Sequence, residues 1–144
     1  MLRFFLFINK QGQTRFSRYY NVQLQPEERV LMEADISRKC LKRGDSQCSI
    51  FEFREYKLAF RRYASLFFVI GFDEEENHFA ILELVHAYVE ILNAYFDNVC
   101  ELDIMFNIEK VHVILEEMVL NGRIVETNKN NVLAPVLEMD KTSK

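Results

Sequence analysis

The sequence is short of the residues that interrupt regular structure, with four glycines and two prolines among 144 residues. That scarcity leaves few places for long irregular loops and excludes a collagen-like or linker-rich chain. Its three cysteines, Cys40, Cys48 and Cys100, are odd in number, widely spaced and without a CxxC pair. Neither a disulfide framework nor a zinc site follows from that spacing, and they read as reduced thiols. HExxH, GxSxG, GxGxxG and a glycine-rich phosphate loop are all missing, and Gly12 alone cannot build a phosphate cradle. No metal, no cofactor and no enzymatic activity are therefore expected. Basic residues are outnumbered, 18 against 22, for a net charge of −4 and a pI near 5.4. Nucleic-acid binding is not the expected role, because phosphate neutralisation needs a basic surface. The apolar start, MLRFFLFI, is too short to span a bilayer and is followed by no small-residue cleavage site, so a soluble intracellular protein is expected.

What the sequence does hold is enough apolar material for one full core. Hydrophobic residues make up 49% and charged residues 28%, which fits a single globular domain over 1–144. Leu2 to Ile8 reads as a strand, with Leu2, Phe4, Leu6 and Ile8 on one face and Arg3, Phe5 and Phe7 on the other. Apolar residues on both faces place it inside a sheet covered on both sides. Asn9 to Gly12 reads as a turn and Thr14 to Tyr20 as the hairpin partner. Ser49–Arg54, Tyr56–Arg62 and Ser65–Phe72 read as three more strands, with a hairpin at Arg54-Glu55. The last is again apolar on both faces, so the first and fifth strands are expected side by side.

Pro26, Glu27 and Glu28 open a first helix that Gly44 can end. Its apolar stripe is read as Val30, Leu31, Ala34 and Leu41. A long helix from Phe79 to about Val99 carries one narrow polar stripe: Glu83, His86, Glu90, Asn93 and Asp97. An ordinary surface helix has the inverse proportion, so this one needs cover on at least two sides. The sheet supplies one cover and a further helix, about Leu102 to Leu120, the other. Together the two helices carry more apolar surface than one small sheet should absorb, which points to a protein partner. Asn121-Gly122 stops the second helix, Arg123–Glu126 is extended, and a last segment, Asn128–Met139, is expected to break at Pro135. The tail from Asp140 to Lys144 is expected to fray.

Side chains that could carry chemistry are few. Asp73-Glu74-Glu75-Glu76-Asn77 lacks the oxygen-ligand spacing of a calcium loop and reads as solvated charge ahead of a helix N-terminus. His86, between Glu83 and Glu90, could be oriented by a carboxylate, but no nucleophile or second base is placed beside it. The bases Arg15, Arg18, Arg54, Lys57, Arg61, Arg62 and those from Arg38 to Arg43 could partly converge on a patch for carboxylates or lipid phosphates. Scattered solvated charge is the competing reading.

The segments MLRFFLFINKQGQTRFSRYY, FEFREYKLAFRRYASLFFVIG and HAYVEILNAYFDNVCELDIMFN resemble the small (sigma) chain of the heterotetrameric vesicle-coat adaptor complexes, from Met1 to about Asp140. EEMVLNGRIVETNKNNVLAP is most similar to the sigma chain of the fourth adaptor complex. The resemblance implies a mixed α/β (α+β), longin-like fold with a five-stranded, mainly antiparallel sheet flanked by helices. It implies a direct, obligate large-chain partner, within an assembly that holds a second large chain and a medium chain. It also implies a cytoplasmic location, peripheral on trans-Golgi network or endosomal membranes and coated vesicles. In clathrin-linked relatives the sigma chain helps bind acidic dileucine signals: an acidic residue, three variable positions, Leu, then Leu or Ile. By resemblance Arg15 meets the acidic end, and Ala64, Leu66, Val89, Asn98, Val99 and Ile104 hold the two leucines in two shallow pockets, with Asn98 bonding the peptide backbone. Ile104 stands where the family often has Leu, a swap of similar volume. Such a site is expected to be weak, roughly micromolar, and Val89→Asp is expected to abolish it without preventing assembly. The competing readings are a sigma chain of a clathrin-associated complex, an independent longin-type regulatory module, and a small enzyme.

Overall fold

A computed structural model describes residues 1–43, 48–73 and 76–142. Five strands form one sheet: β1 (Leu2–Asn9), β2 (Thr14–Tyr19), β3 (Cys48–Phe53), β4 (Tyr56–Tyr63) and β5 (Leu66–Phe72). Their order is β2-β1-β5-β4-β3, every neighbouring pair antiparallel. The two strands that are apolar on both faces are adjacent, Phe5 opposite Ile70 and Phe7 opposite Phe68. Burial explains the choice: interior strands are covered on both faces, so their side chains need not alternate in polarity. The alternation in β1 nevertheless slips once. Pairing with β5 shifts between Leu2 and Phe4, which turns Leu2 onto the face of Phe5 and Phe7, away from Phe4, Leu6 and Ile8.

Helix α1 (Pro26–Arg43) carries the chain across one face, from β2 at one edge to β3 at the other. It buries Met32, Ile36 and Cys40 against Phe4, Leu6, Phe60 and Val69. The stripe read from the sequence points the other way: Val30 and Leu31 are each 66% exposed and Leu41 39%. Both sets have helical spacing; the sheet takes the one that includes the cysteine. The terminator Gly44 lies outside the described residues.

The opposite face carries α2 (His78–Phe96), α3 (Glu101–Phe106), α4 (Ile108–Met118) and α5 (Lys129–Thr142). Asn77 caps α2, its side chain accepting from the Phe79 and Ala80 amides. Glu83, His86 and Glu90, with the C-cap Asp97, form an exposed edge of α2, while Ile81, Leu84, Val85, Tyr88, Val89, Ile91 and Leu92 are buried against the sheet, α4 and α5. The helix read as Leu102–Leu120 is two. It breaks at Asn107 (φ −130°, ψ 37°), whose side-chain amide donates to the Asp103 carbonyl. β6 (Val119–Leu120) and β7 (Arg123–Ile124) then make a small hairpin over Asn121 and Gly122, with φ 51° and 81°. The Gly122 carbonyl accepts from the Leu2 amide at 2.7 Å, tying this hairpin to β1.

Pro135 does not break the last segment. It sits inside α5, where it lacks the amide that would bond the Asn131 carbonyl, and Asn131 is at an exposed position. Nor does the chain fray at Asp140, which accepts from Tyr95 Oη at 2.7 Å and pairs with Lys110 Nζ at 2.6 Å; Ser143 and Lys144 lie outside the described residues. Since α5 also covers α2, much of the apolar surplus read from the sequence is satisfied internally. The largest exposures that stay outside, among the described residues, include Phe79 at the start of α2, Leu102 and Phe106 on α3, and Val30 and Leu31 on α1, with Met105 less so. The whole is the longin-like arrangement: one antiparallel sheet with helices on both faces.

Candidate functional site

The β1–β2 turn and the start of α3 meet at a polar cluster. Asn9, only 2% exposed, organises it. Its Oδ1 accepts from the backbone amides of Gln11 and Gln13, and its Nδ2 donates to Gln13 Oε1 at 3.0 Å and to Glu101 Oε1 at 2.8 Å. Arg15, on β2, donates from Nε to the same Glu101 oxygen at 2.7 Å and from a terminal nitrogen to Gln13 Oε1 at 2.9 Å. The hydrogen bonds from Asn9 and then Arg15 hold the Glu101 carboxyl below its ordinary value, against a smaller opposing effect of burial. Arg15 is thus engaged by a carboxylate of its own chain. A shallow groove of about 250 Å3 runs beside it, lined by Thr14, Phe16, Ser17, Ile108 and His112. The His112 ring packs against Phe16, tilted by 38° with centroids 4.4 Å apart. Burial and the Arg18 charge lower its pKa, and Glu116 acts in the opposite sense.

Next to this cluster lies the apolar set. Leu66 opens β5 directly opposite Asn9. Leu66, Val89, Val99 and Ile104 belong to one core cluster, each no more than 2% exposed. All four are filled core rather than the walls of open shallow pockets. Two further residues of the expected site stand at the surface. Ala64 occupies the β4–β5 turn with φ 53°, and Asn98 follows α2 with φ 72°. Both conformations are uncommon for residues other than glycine, Ala64 the more so because it has no side-chain amide to bond locally. The Asn93 side chain accepts from the Val99 amide, and its backbone carbonyl from the Asn98 amide, so the α2–α3 junction is fixed at both positions.

Asn9, Gln13 and Glu101 escape the sequence reading. Asn9 carries only a turn signal, and its bond to Glu101 spans 92 residues, beyond the reach of any local pattern.

The other polar residues divide into separate groups. Arg61 donates to His86 Nδ1 at 2.9 Å, which leaves the proton on Nε2 facing Glu90 at 3.0 Å. Arg54 joins Arg38, both paired with Asp35, in a groove that Lys39, Lys42 and Phe53 also line. Asp73 and Glu76 each lie 2.8 Å from the Met1 amine, and Arg3 pairs with Asp73; Glu74 and Glu75 of the acidic loop lie outside the described residues.

A sheet with this strand order, covered by α1 on one face and four helices on the other, agrees with what comparison of the whole chain returns. The profile of the family described as "Clathrin adaptor complex small chain" matches residues 1–143, and the chain belongs to that family. Within it, the chain is 58% identical to the AP-4 complex subunit sigma of Arabidopsis thaliana, over 97% of each chain. It is 52% identical to AP-4 complex subunit sigma-1 of Homo sapiens, over 100% of this chain and 99% of that one. With AP-1 complex subunit sigma-1 of Schizosaccharomyces pombe the identity is 41%, over 99% and 88%. Its fold superimposes on a chain of a homology model of the full-length AP-3 complex in a stretched open conformation, with a TM-score of 0.78, 27% identity, and coverage of 99% and 95%.

Proposed function

We propose that this chain is the small subunit of a heterotetrameric vesicle-coat adaptor of the AP-4 type, a structural and cargo-binding component rather than an enzyme. It packs directly against one large chain, within an assembly that also holds a second large chain and a medium chain. It acts in the cytoplasm, peripheral on trans-Golgi network or endosomal membranes, in transport that includes recognition of acidic dileucine signals. The observation that carries this reading is the end-to-end likeness to AP-4 sigma chains, at 52–58% identity, set against 41% for an AP-1 chain. The exposed Phe79, Leu102, Met105 and Phe106 support it as well, since exposed apolar side chains of this size are what a subunit contact covers. Arg15, Ala64, Leu66, Val89, Asn98, Val99 and Ile104 are the proposed signal site: Arg15, Ala64 and Asn98 reach the surface, and the four apolar residues must part to admit two leucines.

Co-expression tests the subunit reading. The chain is expected to aggregate when produced alone and to become soluble, in a one-to-one complex by light scattering, when produced with an AP-4-type large chain. A folded, monodisperse chain that ignores the large chain would favour an independent longin-type module.

A further inference from the structure

Arg15 is the sole cation assigned to the acidic end of a sorting signal, yet its Nε already lies 2.7 Å from the Glu101 carboxylate. Asn9 anchors that carboxylate from the other side at 2.8 Å, and Asn9 is itself buried and bonded to the turn backbone. Glu101 is therefore no swinging surface side chain. An incoming carboxylate meets a guanidinium whose charge is balanced, and a fixed negative charge beside it.

We propose that Glu101 sets the charge preference of the signal site: by neutralising Arg15 it removes most of the advantage of an acidic residue, so that the site accepts signals with an uncharged polar residue at that position. This rests on the signal-site reading above. Two consequences separate it from a role in which Glu101 merely props Arg15 in place. Removing the charge but keeping the acceptor, as in Glu101→Gln, strengthens the preference for acidic signals, because Asn9 retains its acceptor and Arg15 regains net charge. Removing Arg15 and keeping Glu101 inverts the preference, because only repulsion is left.

The test uses the assembly purified with this chain and three synthetic peptides of one sequence: Glu-x-x-x-Leu-Leu, Gln-x-x-x-Leu-Leu, and Glu-x-x-x-Ala-Ala. Partly exposed charge pairs change affinity by up to about fivefold. The wild-type assembly is expected to bind the Glu and Gln peptides within about twofold of each other. E101Q is expected to prefer the Glu peptide by about three- to fivefold, a gain that fades as salt is raised. Arg15→Gln is expected to prefer the Gln peptide. A wild-type preference for the Glu peptide of about fivefold or more, unchanged or reduced in E101Q, would overturn the proposal while leaving the signal site in place. Binding indifferent to replacement of the leucines, in all three proteins, would overturn the signal-site reading and this proposal with it.

Discussion

The hydroxyl of Tyr88 donates to the backbone carbonyl of Val111 across 3.0 Å of fully buried space. The same ring packs on Phe5 and Phe7 at centroid distances of 5.9 and 5.6 Å, so one side chain joins the sheet, α2 and α4. Burial raises its pKa well above the ordinary value, which keeps the hydroxyl a donor at any physiological pH. Removing the hydroxyl alone, in Tyr88→Phe, is expected to cost about 1 kcal/mol. Removing the ring, in Tyr88→Ala, is expected to cost about 3–5 kcal/mol. Urea denaturation of the assembled protein distinguishes the two, and equal losses would show that the hydroxyl, not the ring, holds the layers together.

Gly71 sits opposite Phe4 in the β1–β5 pairing, and a Cβ there would fall 2.2 Å from Phe4 Cζ. The ring of Phe4 also packs between Tyr19 and Tyr56, at 5.7 and 5.4 Å, so it cannot withdraw without disturbing both. Gly71→Ala is expected to destabilise by about 1–3 kcal/mol through overpacking. In the Phe4→Leu background that penalty should shrink, and thermal unfolding of the single and double variants measures the difference. Equal penalties in both backgrounds would rule out the ring as the obstacle.

The fold was more legible than the site. β1 and β5 show their interior places because apolar residues fill both of their faces, and Asn121-Gly122 marks its turn by residue type alone. The sheet-facing side of α1 is not legible in the sequence because the helix carries two apolar sets, and only packing decides which of them, Met32-Ile36-Cys40 or Val30-Leu31-Leu41, is buried. The break at Asn107 and the continuity through Pro135 are also tertiary outcomes, in which local propensity is a weak guide. Leu66, Val89, Val99 and Ile104 belong to one buried core cluster, and that burial bears on one substitution there. Val89→Asp places a carboxylate at a position 1% exposed and so threatens the fold itself, whereas substitutions at exposed Asn98 or Ala64 leave the core intact.

Cys40 and Cys100 should differ sharply towards alkylating agents. Cys40 is buried against the sheet, and that burial raises its pKa to about 12, with Arg43 acting the other way. The thiolate is the reactive form, so Cys40 should resist iodoacetamide at pH 8 until the protein unfolds. Cys100 is exposed and should be modified well before Cys40, without denaturant. Peptide mapping after timed labelling reads both; rapid native labelling of Cys40 would contradict the packing of α1.

Acid should loosen the β1–β2 turn. The Glu101 carboxyl is held below its ordinary value near 4.5 by Asn9 and Arg15. A lowered folded-state pKa means that the stabilisation is present above the unfolded value and is lost as the pH falls through the folded one. Stability measured from pH 6 downward should therefore decline below about pH 4.5 less steeply in E101Q than in wild type. Parallel curves would mean that this carboxylate makes no pH-linked contribution.

Membership of a four-chain adaptor shows in the composition of the native assembly. The chain should be isolated from cells by a C-terminal tag, with co-purifying proteins identified and counted by mass. Recovery of two large chains, one medium chain and this chain in equal amounts, with large chains of AP-4 type, is the expected result. Recovery of the chain alone, soluble and folded, would contradict that membership.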